Sequence, residues 1–451
     1  MLRSFRGGVH PNDQKGYTAD KPIEVAPLPN KVVIPVRQHI GAPCSPLVKK
    51  GDKVKKGQLI AKSDAFVSAN IHASVSGTVV DVGEYPHPGF GKCQAIVIEN
   101  DGLDEWVEGI PVERDWEKLT ADELKNLIKE GGIVGMGGAT FPTHVKLTPP
   151  KDKKVDTFIL NAAECEPYLT ADYRMMIEHP DLILTGIKIV MKVLGVTKGY
   201  VGIEDNKPKA ISTMQKVFEG SGIEVVGLPT KYPQGAEKML IKALVDREVP
   251  SGGLPADVGV VVQNVGTVVA INDAVTKGIP LIQRVTTISG KVVNEPKNLL
   301  LRIGTTFGQA IEYCGGLKET PEKLISGGPM MGMAESNLNI PVIKGTSGIL
   351  VLGKSDVNSG KQSPCISCGR CVRVCPMHLN PSMLSQLGER NMYEDAKEKY
   401  NLLDCVECGS CVYICPAKRN IVQYIKYCKA QNAAKAAKAK AAKAKAEAAV
   451  K

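Results

Sequence analysis

The chain contains no long uninterrupted hydrophobic run and no hydrophobic leader. No uncharged apolar stretch approaches the roughly 20 residues that a membrane-spanning helix needs. The most apolar segment, residues 182–196, is interrupted by Lys188 and Lys192. The N-terminus reads MLRSFRGG and lacks the apolar core of a secretory signal. We therefore expect a soluble or peripheral protein that resides in a reducing cytoplasm.

The positive charge of the chain is concentrated at its C-terminal end. The 451 residues carry a net charge of +10, and residues 429–451, with seven lysines and one glutamate, account for +6 of it. A length of 451 residues suggests about three domains. The tail at 429–451 repeats alanine and lysine, which favour helix but leave it no large apolar face. It is a solvated helix or disordered, and it either touches anionic lipid or an acidic partner or only improves solubility.

Eight of the 13 cysteines form two runs of one pattern, C-x2-C-x2-C-x3-C-P. This is the bacterial ferredoxin pattern, in which the fourth cysteine of each run ligates the other cluster. Zinc sites use two pairs of ligands rather than three plus one, and disulfides require an oxidising compartment. We expect one [4Fe–4S] cluster on the first cysteine set, Cys365, Cys368, Cys371 and Cys415, and another on the second cysteine set, Cys405, Cys408, Cys411 and Cys375.

The segment between the two runs, residues 381–400, is polar and has a helical pattern. A helix in this place predicts an all-helical double-cluster ferredoxin domain over residues 355–428. The other five cysteines lack metal-ligand spacing and are expected to be reduced thiols.

Residues 31–115 alternate in the manner of short strands around glycine turns. They resemble the lipoyl and biotinyl barrel-sandwich hybrid, whose carrier members hold their prosthetic group on a lysine at a hairpin tip. No lysine occurs from residue 63 to residue 91, so the carrier function is not supported. Residues 1–30 have no clear period and are interpreted as an extended arm that lies on another domain.

Strand and helix patterns alternate through residues 116–280, beginning with a capping box at Thr120 and Glu123 and a helix to Glu130. This multidomain α/β chain therefore has a largely parallel sheet in its centre. Strands are predicted at 155–160, 199–203, 224–228 and 258–263, and helices at 181–194, 207–218, 234–246 and 266–277. Residues 281–350 predict a small β-grasp module with a hairpin at 285–293 and a helix at 306–314.

A glycine-rich loop, GMGGATFPTHVK at residues 135–146, follows a helix rather than a strand and therefore lacks the context of a Rossmann fingerprint. It resembles the flavin loop of the NADH-oxidising flavoprotein subunit of respiratory complex I. NAAECEP at 161–167 and QNVGT at 263–267 resemble two later segments of that family, in the same order. The resemblance implies a complex-I-flavoprotein-like α/β FMN domain that holds FMN noncovalently.

The same resemblance assigns roles to individual residues. It implies cofactor contacts from Gly135, Gly137, Gly138, Ala139, Lys146, Asn161, Glu164, Glu166, Glu237 and Asn264. Glu166 and Phe141 would lie beside the nicotinamide of NAD(H), the substrate, and would be the catalytic residues. Three positions depart from the family, since Met136, Thr140 and Ala163 replace an arginine, a glycine and an aspartate.

The order of modules, together with the opening FRGGVHP at 5–11, resembles the C subunit of the Rnf complex. The resemblance implies the NAD(H) end of a membrane-bound ferredoxin:NAD+ oxidoreductase that pumps Na+ or H+. It also implies a peripheral position on the cytoplasmic face of the cell membrane, a ferredoxin-like partner subunit, integral membrane subunits and no nucleic acid. Two alternatives stay open: a microcompartment cobalamin reductase, whose flavin loop lies close to the N-terminus, and a flavin-free electron-relay adaptor.

Overall fold

The computed structural model describes residues 3–357 and 360–449. Residues 1–2 of the predicted arm and 450–451 of the predicted tail lie outside the described residues. The arm is confirmed to lie on other parts of the chain, but it is not entirely irregular. It contains a 3-10 turn, Lys15–Tyr17, and a strand, β1 (Ile23–Val25), which pairs in parallel with the strand Lys297–Arg302.

The next domain is a barrel of two small antiparallel sheets. Its strands are β2 (Lys31–Pro35), β3 (Ser45–Pro46), β4 (Lys53–Val54), β5 (Leu59–Lys62), β6 (Ile71–His72), β7 (Gly77–His87) and β8 (Gly91–Asn100). One sheet has the order β2-β8-β7-β4 and the other β3-β5-β6. Fully buried Ile34, Ile60, Ile96 and Ile98 fill the space between them. The predicted barrel-sandwich hybrid is confirmed.

The central domain, called the α/β domain below, has a four-stranded parallel sheet of order β11-β10-β9-β12. Its strands are β9 (Thr157–Asn161), β10 (Lys198–Glu204), β11 (Ile223–Leu228) and β12 (Val260–Asn264). Its helices are α1 (Ala121–Glu130), α2 (Thr143–Lys146), α3 (Ala171–Glu178), α4 (Pro180–Leu194), α5 (Pro208–Val217), α6 (Glu237–Val245) and α7 (Val265–Thr276). The parallel sheet and the capping box at Thr120 and Glu123 are confirmed. The helix predicted from residue 234 begins three residues later, because Ala236 is still extended.

The β-grasp domain adds β1 to five strands of its own, in the order β1-β14-β13-β17-β15-β16. They are β13 (Gln283–Ser289), β14 (Lys297–Arg302), β15 (Lys323–Ser326), β16 (Met333–Glu335) and β17 (Gly348–Leu352), with helix α8 (Phe307–Glu312). The hairpin predicted at 285–293 is present as the antiparallel pair β13 and β14, but its second strand begins later than predicted. Gly290, at φ +125°, ends β13, and β14 starts only after Pro296, which has no N–H for a sheet ladder.

The ferredoxin domain is helical, as predicted. It consists of α9 (Arg370–Val374), α10 (Pro381–Glu389), α11 (Tyr393–Tyr400), α12 (Ser410–Tyr413) and α13 (Ile421–Ala449). The single helix predicted over 381–400 is wrong, because Asn391 adopts φ +59° and separates α10 from α11. The tail continues α13 as helix up to residue 449. Within residues 3–357 and 360–449 no helix combines the length and hydrophobicity needed to cross a bilayer.

Candidate functional site: a flavin cradle beside a cysteine cavity

The glycine-rich loop that follows α1 is closed by its own backbone. The N–H of Gly135 donates to the carbonyl of Phe141 at 2.9 Å, and the N–H of Met136 donates to Oγ1 of Thr267 on α7 at 2.9 Å. These bonds leave the backbone of residues 137–139 exposed at the tip. Gly138 adopts φ +126°, and a Cβ there would meet no atom within 4 Å. A planar group can therefore approach this backbone closely.

Two predicted asparagines end adjacent parallel strands, β9 and β12, where Asn161 and Asn264 are directly paired. Nδ2 of Asn161 donates to the carbonyl of Gly235 at 2.7 Å. Oδ1 of Asn264 accepts from the N–H of Gly266 at 2.9 Å and caps α7. The three motifs thus meet outside the carboxyl ends of the parallel strands, where α/β sheets bind ligands. Both asparagines use their amides to hold the protein loops there.

Lys146 and Glu237 lie together at the same edge of the sheet. Nζ of Lys146 contacts Oε1 of Glu237 at 2.9 Å and donates to the carbonyl of Val262 at 3.0 Å. The two side chains are 29% and 36% exposed, so the pair is open to a ligand from one side. The structure therefore brings together two residues that the sequence predicted separately.

Glu164 caps the first turn of α3. Its carboxylate accepts the N–H groups of Asp172 at 2.7 Å and Tyr173 at 3.2 Å. Burial, together with the nearby charge of Glu164, raises the pKa of Asp172 to about 7. Nδ2 of Asn264 donates to Asp172 at 2.6 Å. The sequence prediction missed Asp172, because α3 itself was not predicted.

Glu166 joins the α/β domain to the β-grasp domain. Its carboxylate accepts the N–H groups of Met330 at 3.0 Å and Met331 at 2.8 Å, and the hydroxyl of Tyr232 lies 3.4 Å away. Gly328 packs so closely that a Cβ there would lie 2.3 Å from the carboxylate. Burial raises the pKa of Glu166 to about 7, although the two N–H donors act against that shift. The carboxylate that was predicted to contact NAD(H) therefore already accepts hydrogen bonds from the protein.

Two buried side-chain amides near the ends of β9 and β12 lack hydrogen-bond partners among the described residues. In the described part of the chain, neither amide atom of Gln234 has a hydrogen-bond partner, and Nε2 of Gln263 has none. They precede Gly235 and Asn264 in sequence, and both side chains are buried. Buried polar groups are normally hydrogen-bonded, so a polar ligand at this edge would satisfy them. Together with the open backbone at 137–139, these residues fit a flavin. Phe141 is half-buried at the end of the same loop.

The second cysteine set surrounds one apolar cavity in the ferredoxin domain. Cys375 from the first run and Cys405, Cys408 and Cys411 from the second run all line it. Leu384, Val422 and Ile425 complete its wall. Burial raises the pKa of Cys405 to about 11 and also raises that of Cys411, so these thiols need a cationic partner to be held as thiolates.

No three His, Cys, Asp or Glu side chains within residues 3–357 and 360–449 converge on the position of a single metal ion. A cubane cluster holds its four thiolates farther apart than one ion does, so the cavity fits a cluster better than it fits zinc. The grouping of Cys375 with the second run is the one that the ferredoxin pattern predicts.

The first cysteine set lies nearer to the surface. Cys371 is buried, Cys365 and Cys415 are half-buried, and Cys368 is exposed. The neighbouring Ile366 is 65% exposed. The second cysteine set instead faces the α/β domain, since the hydroxyl of Tyr232 donates to the carbonyl of Cys408 at 2.7 Å.

Four family models match successive parts of the chain. They are the RnfC barrel sandwich hybrid domain over residues 3–103, the Nuo51 FMN-binding domain over 128–273, the SLBB domain over 285–334 and the 4Fe-4S dicluster domain over 359–416.

Similar proteins include the C subunit of the proton-translocating ferredoxin:NAD(+) oxidoreductase complex of Clostridium ljungdahlii. It is 73% identical over 434 residues, which are 96% of this chain and 95% of that protein. The C subunit of the Na(+)-translocating ferredoxin:NAD(+) oxidoreductase complex of Acetobacterium woodii is 50% identical over 95% of this chain and 97% of its own. The C subunit of the ion-translocating oxidoreductase complex of Rhodobacter capsulatus is 45% identical over 85% of this chain and 74% of its own.

Among solved structures, an NAD+-reducing [NiFe]-hydrogenase in the air-oxidised state aligns with a TM-score of 0.51 and 17% sequence identity. The alignment covers 66% of this chain and 61% of that chain. At this identity the likeness shows a shared fold.

Proposed function

The chain belongs to the C subunits of ion-translocating ferredoxin:NAD+ oxidoreductase (Rnf) complexes, and on that premise we propose which of its residues carry out electron transfer. It is an oxidoreductase subunit that holds FMN and [4Fe–4S] clusters, and other subunits of the complex are its partners. The observation that carries the proposal is the direct contact between the α/β domain, which carries the flavin cradle, and the cysteine cavity. Tyr232, two residues before the unpaired Gln234, donates to the carbonyl of Cys408 in the cysteine cavity.

A bound flavin converts the two electrons of a hydride into single electrons, which is the form that clusters accept. The exposed backbone at 137–139 would lie against it. The amide of Gln234 would donate to or accept from its polar atoms, and Nε2 of Gln263 would donate to them, since these atoms lack protein partners within the described residues. Lys146, held by Glu237, would present a cation. Asn161 and Asn264 would hold the loops around the flavin rather than hydrogen-bond to it, because their side-chain amides already donate to Gly235 and Asp172.

For NAD(H), the proposed contact residues are Phe141 and Glu166. Phe141 is half-buried beside the exposed loop and can stack on a planar ring. The contacts of Glu166 support a positioning role more than direct contact, because its two oxygens already accept N–H groups of Met330 and Met331. It would shape the nucleotide side of the site by fixing the β-grasp loop next to it.

The clusters are proposed to work in a fixed order. The second cysteine set would hold the cluster nearer the flavin, because Cys408 contacts Tyr232 of the α/β domain. The first cysteine set would hold the outer cluster, because Cys368 and Ile366 are exposed. Electrons would pass between the flavin and the outer cluster through the inner one.

A ferredoxin-like subunit is the proposed electron partner at the outer cluster. No aspartate or glutamate occurs from residue 357 to residue 388, whereas Lys361, Arg370 and Arg373 lie there and are exposed. Exposed Ile366 and Val372 add an apolar contact area. A basic face with an apolar centre suits a partner with an acidic rim around its own cluster.

Membrane contact is proposed to come through integral membrane subunits, which would place this chain peripherally on the cytoplasmic face. Exposed lysines of the helical tail, such as Lys438 and Lys440, would add attraction to anionic lipid, at about 1 kcal/mol for each basic group near the surface. The full-length match to C subunits disfavours the cobalamin reductase alternative.

The composition of the anaerobically purified chain tests this proposal. We expect about one noncovalent FMN and about eight irons per chain, as two [4Fe–4S] clusters require, and bleaching of the flavin absorbance by NADH. Clusters without any flavin absorbance would instead support the flavin-free relay.

A further inference from the structure

The N-terminal residues 7–9 lie between the α/β domain and the ligand loop of the second cysteine set. On one side, the N–H of Gly8 donates at 2.8 Å to the carbonyl of Val374, the residue before Cys375. On the other side, Val9 and Tyr232 exchange two backbone hydrogen bonds of 2.8 and 2.9 Å. The same three residues therefore contact a cluster ligand loop and the loop that leads into the flavin site.

The contacts on both sides are too close for any side chain. Gly7 and Gly8 each adopt φ +84°. A Cβ on Gly7 would lie 2.9 Å from the carbonyl oxygen of Cys375, and one on Gly8 would lie 2.7 Å from that of Tyr232. Backbone atoms cannot rotate away as the end of a side chain can, so a Cβ would push the two loops apart.

The arm is anchored on both flanks of this segment. Phe5 is buried, and Nζ of Lys231 donates to its carbonyl at 2.8 Å and lies 4.5 Å from its ring centroid. Further along, Nζ of Lys15 is buried and donates to the carbonyls of Glu164, Glu166 and Leu169 at 2.9, 3.0 and 2.6 Å. The segment between these anchors has little freedom to move.

We propose that Gly7, Gly8 and Val9 act as a positioning strap that fixes the separation between the flavin site and the inner cluster. The strap thereby sets the rate at which single electrons pass between them. One electron leaves the flavin and one enters the cluster at each step, without bond formation or a further oxidant. This inference rests on the proposed function, specifically on the cluster of the second cysteine set being the inner one.

The test is Gly7→Ala in the full chain with its cofactors. Two control variants separate the contact from other effects of alanine. Gly16→Ala lies in the same arm, and Gly51→Ala places alanine at φ +96°, and neither added Cβ would meet an atom within 4 Å. Stopped-flow absorbance follows flavin reduction by NADH and cluster reduction separately, and hydrogen exchange follows the amides of Gly8 and Val9.

Gly7→Ala is expected to leave flavin reduction unchanged, to slow cluster reduction severalfold and to speed amide exchange at Gly8 and Val9, while both controls behave as wild type. Should Gly7→Ala fail to fold, Lys231→Met removes only the anchor at Phe5 and is expected to give a smaller slowing of the same step. Cluster reduction and amide exchange that match the controls would overturn the strap, as would an equal slowing of flavin and cluster reduction. Absence of NADH bleaching in the wild type would instead overturn the proposed function, and the exchange data would still decide whether the segment is held.

Discussion

Replacing Gly328 by alanine is expected to break the joint between the α/β domain and the β-grasp domain. The added Cβ would lie 2.3 Å from Oε2 and 2.7 Å from Cδ of Glu166, so the carboxylate must move. It then loses the N–H donors of Met330 and Met331, now at 3.0 and 2.8 Å. Hydrogen bonds to charged groups contribute about 1.5–3 kcal/mol each. Alanine offsets about 0.4–1 kcal/mol of this loss, because it restricts the conformations of the unfolded chain. We expect a net loss of about 2–5 kcal/mol at pH 8, where the carboxylate is ionised.

The assay compares apparent thermal midpoints at one scan rate, because unfolding of a large multidomain protein is often irreversible. For a chain of 451 residues, with an unfolding entropy of about 2.1 cal/mol/K per residue, a loss of this size predicts a drop of about 2–5 °C. Gly308→Ala on α8 is the matched control, since its Cβ would meet Leu338 at an ordinary 3.4 Å. In a Glu166→Gly background, Gly328→Ala should cost little, because both the clashing carboxylate and the Glu166 Cβ, which would lie 2.8 Å from the added Cβ, are gone. An equal cost of Gly328→Ala in both backgrounds would refute this reasoning.

Three further predictions concern the cofactor sites. Cys375→Ser should lower the iron content from about eight to about four per chain and spare the EPR signal of the first cysteine set. The control Cys314→Ser, at a buried thiol of the β-grasp core, should keep all the iron. Loss of the first-set signal in Cys375→Ser would contradict the cross-ligation. Lys146→Met leaves Glu237 without its cation and should weaken FMN binding about tenfold to a hundredfold, the worth of one charge-assisted bond; a fluorescence titration that gives an unchanged Kd would oppose it. Burial raises the pKa of Glu166 from 4.5 to about 7, so the folded chain holds that proton up to a higher pH than the unfolded chain does. The stability that this proton contributes below pH 4.5 is therefore lost as the pH rises through 7, by up to about 3 kcal/mol. Glu166→Gln should lack this loss between pH 5 and pH 8, and parallel thermal midpoints of the two proteins over that range would disprove it.

Local patterns in the sequence predicted those parts of the molecule that local chemistry determines. The spacing of cysteines predicted the two clusters, and the cavity groups Cys375 with the second run in the way that this spacing indicates. The alternation of strands and helices predicted the parallel sheet. The break at Asn391 and the late start of β14 escaped prediction, because single residues with unusual φ or without an N–H decide them.

The joint at Glu166 could not be predicted at all. Its donors, Met330 and Met331, lie more than 160 residues away in sequence. They donate through backbone N–H groups, which every residue except proline carries, so the residue type gives no indication of the contact. The resemblance that assigned Glu166 to NAD(H) carried no information on the β-grasp loop that covers it. Likewise, Gln234 became a candidate flavin contact only when its burial without partners was visible.

An anaerobic NADH titration followed by visible absorbance and EPR tests the central claim most directly. We predict that the flavin bleaches and that both clusters become reduced. A flavin that is reduced by NADH while both clusters stay oxidised would contradict a series path from the α/β domain to the ferredoxin domain.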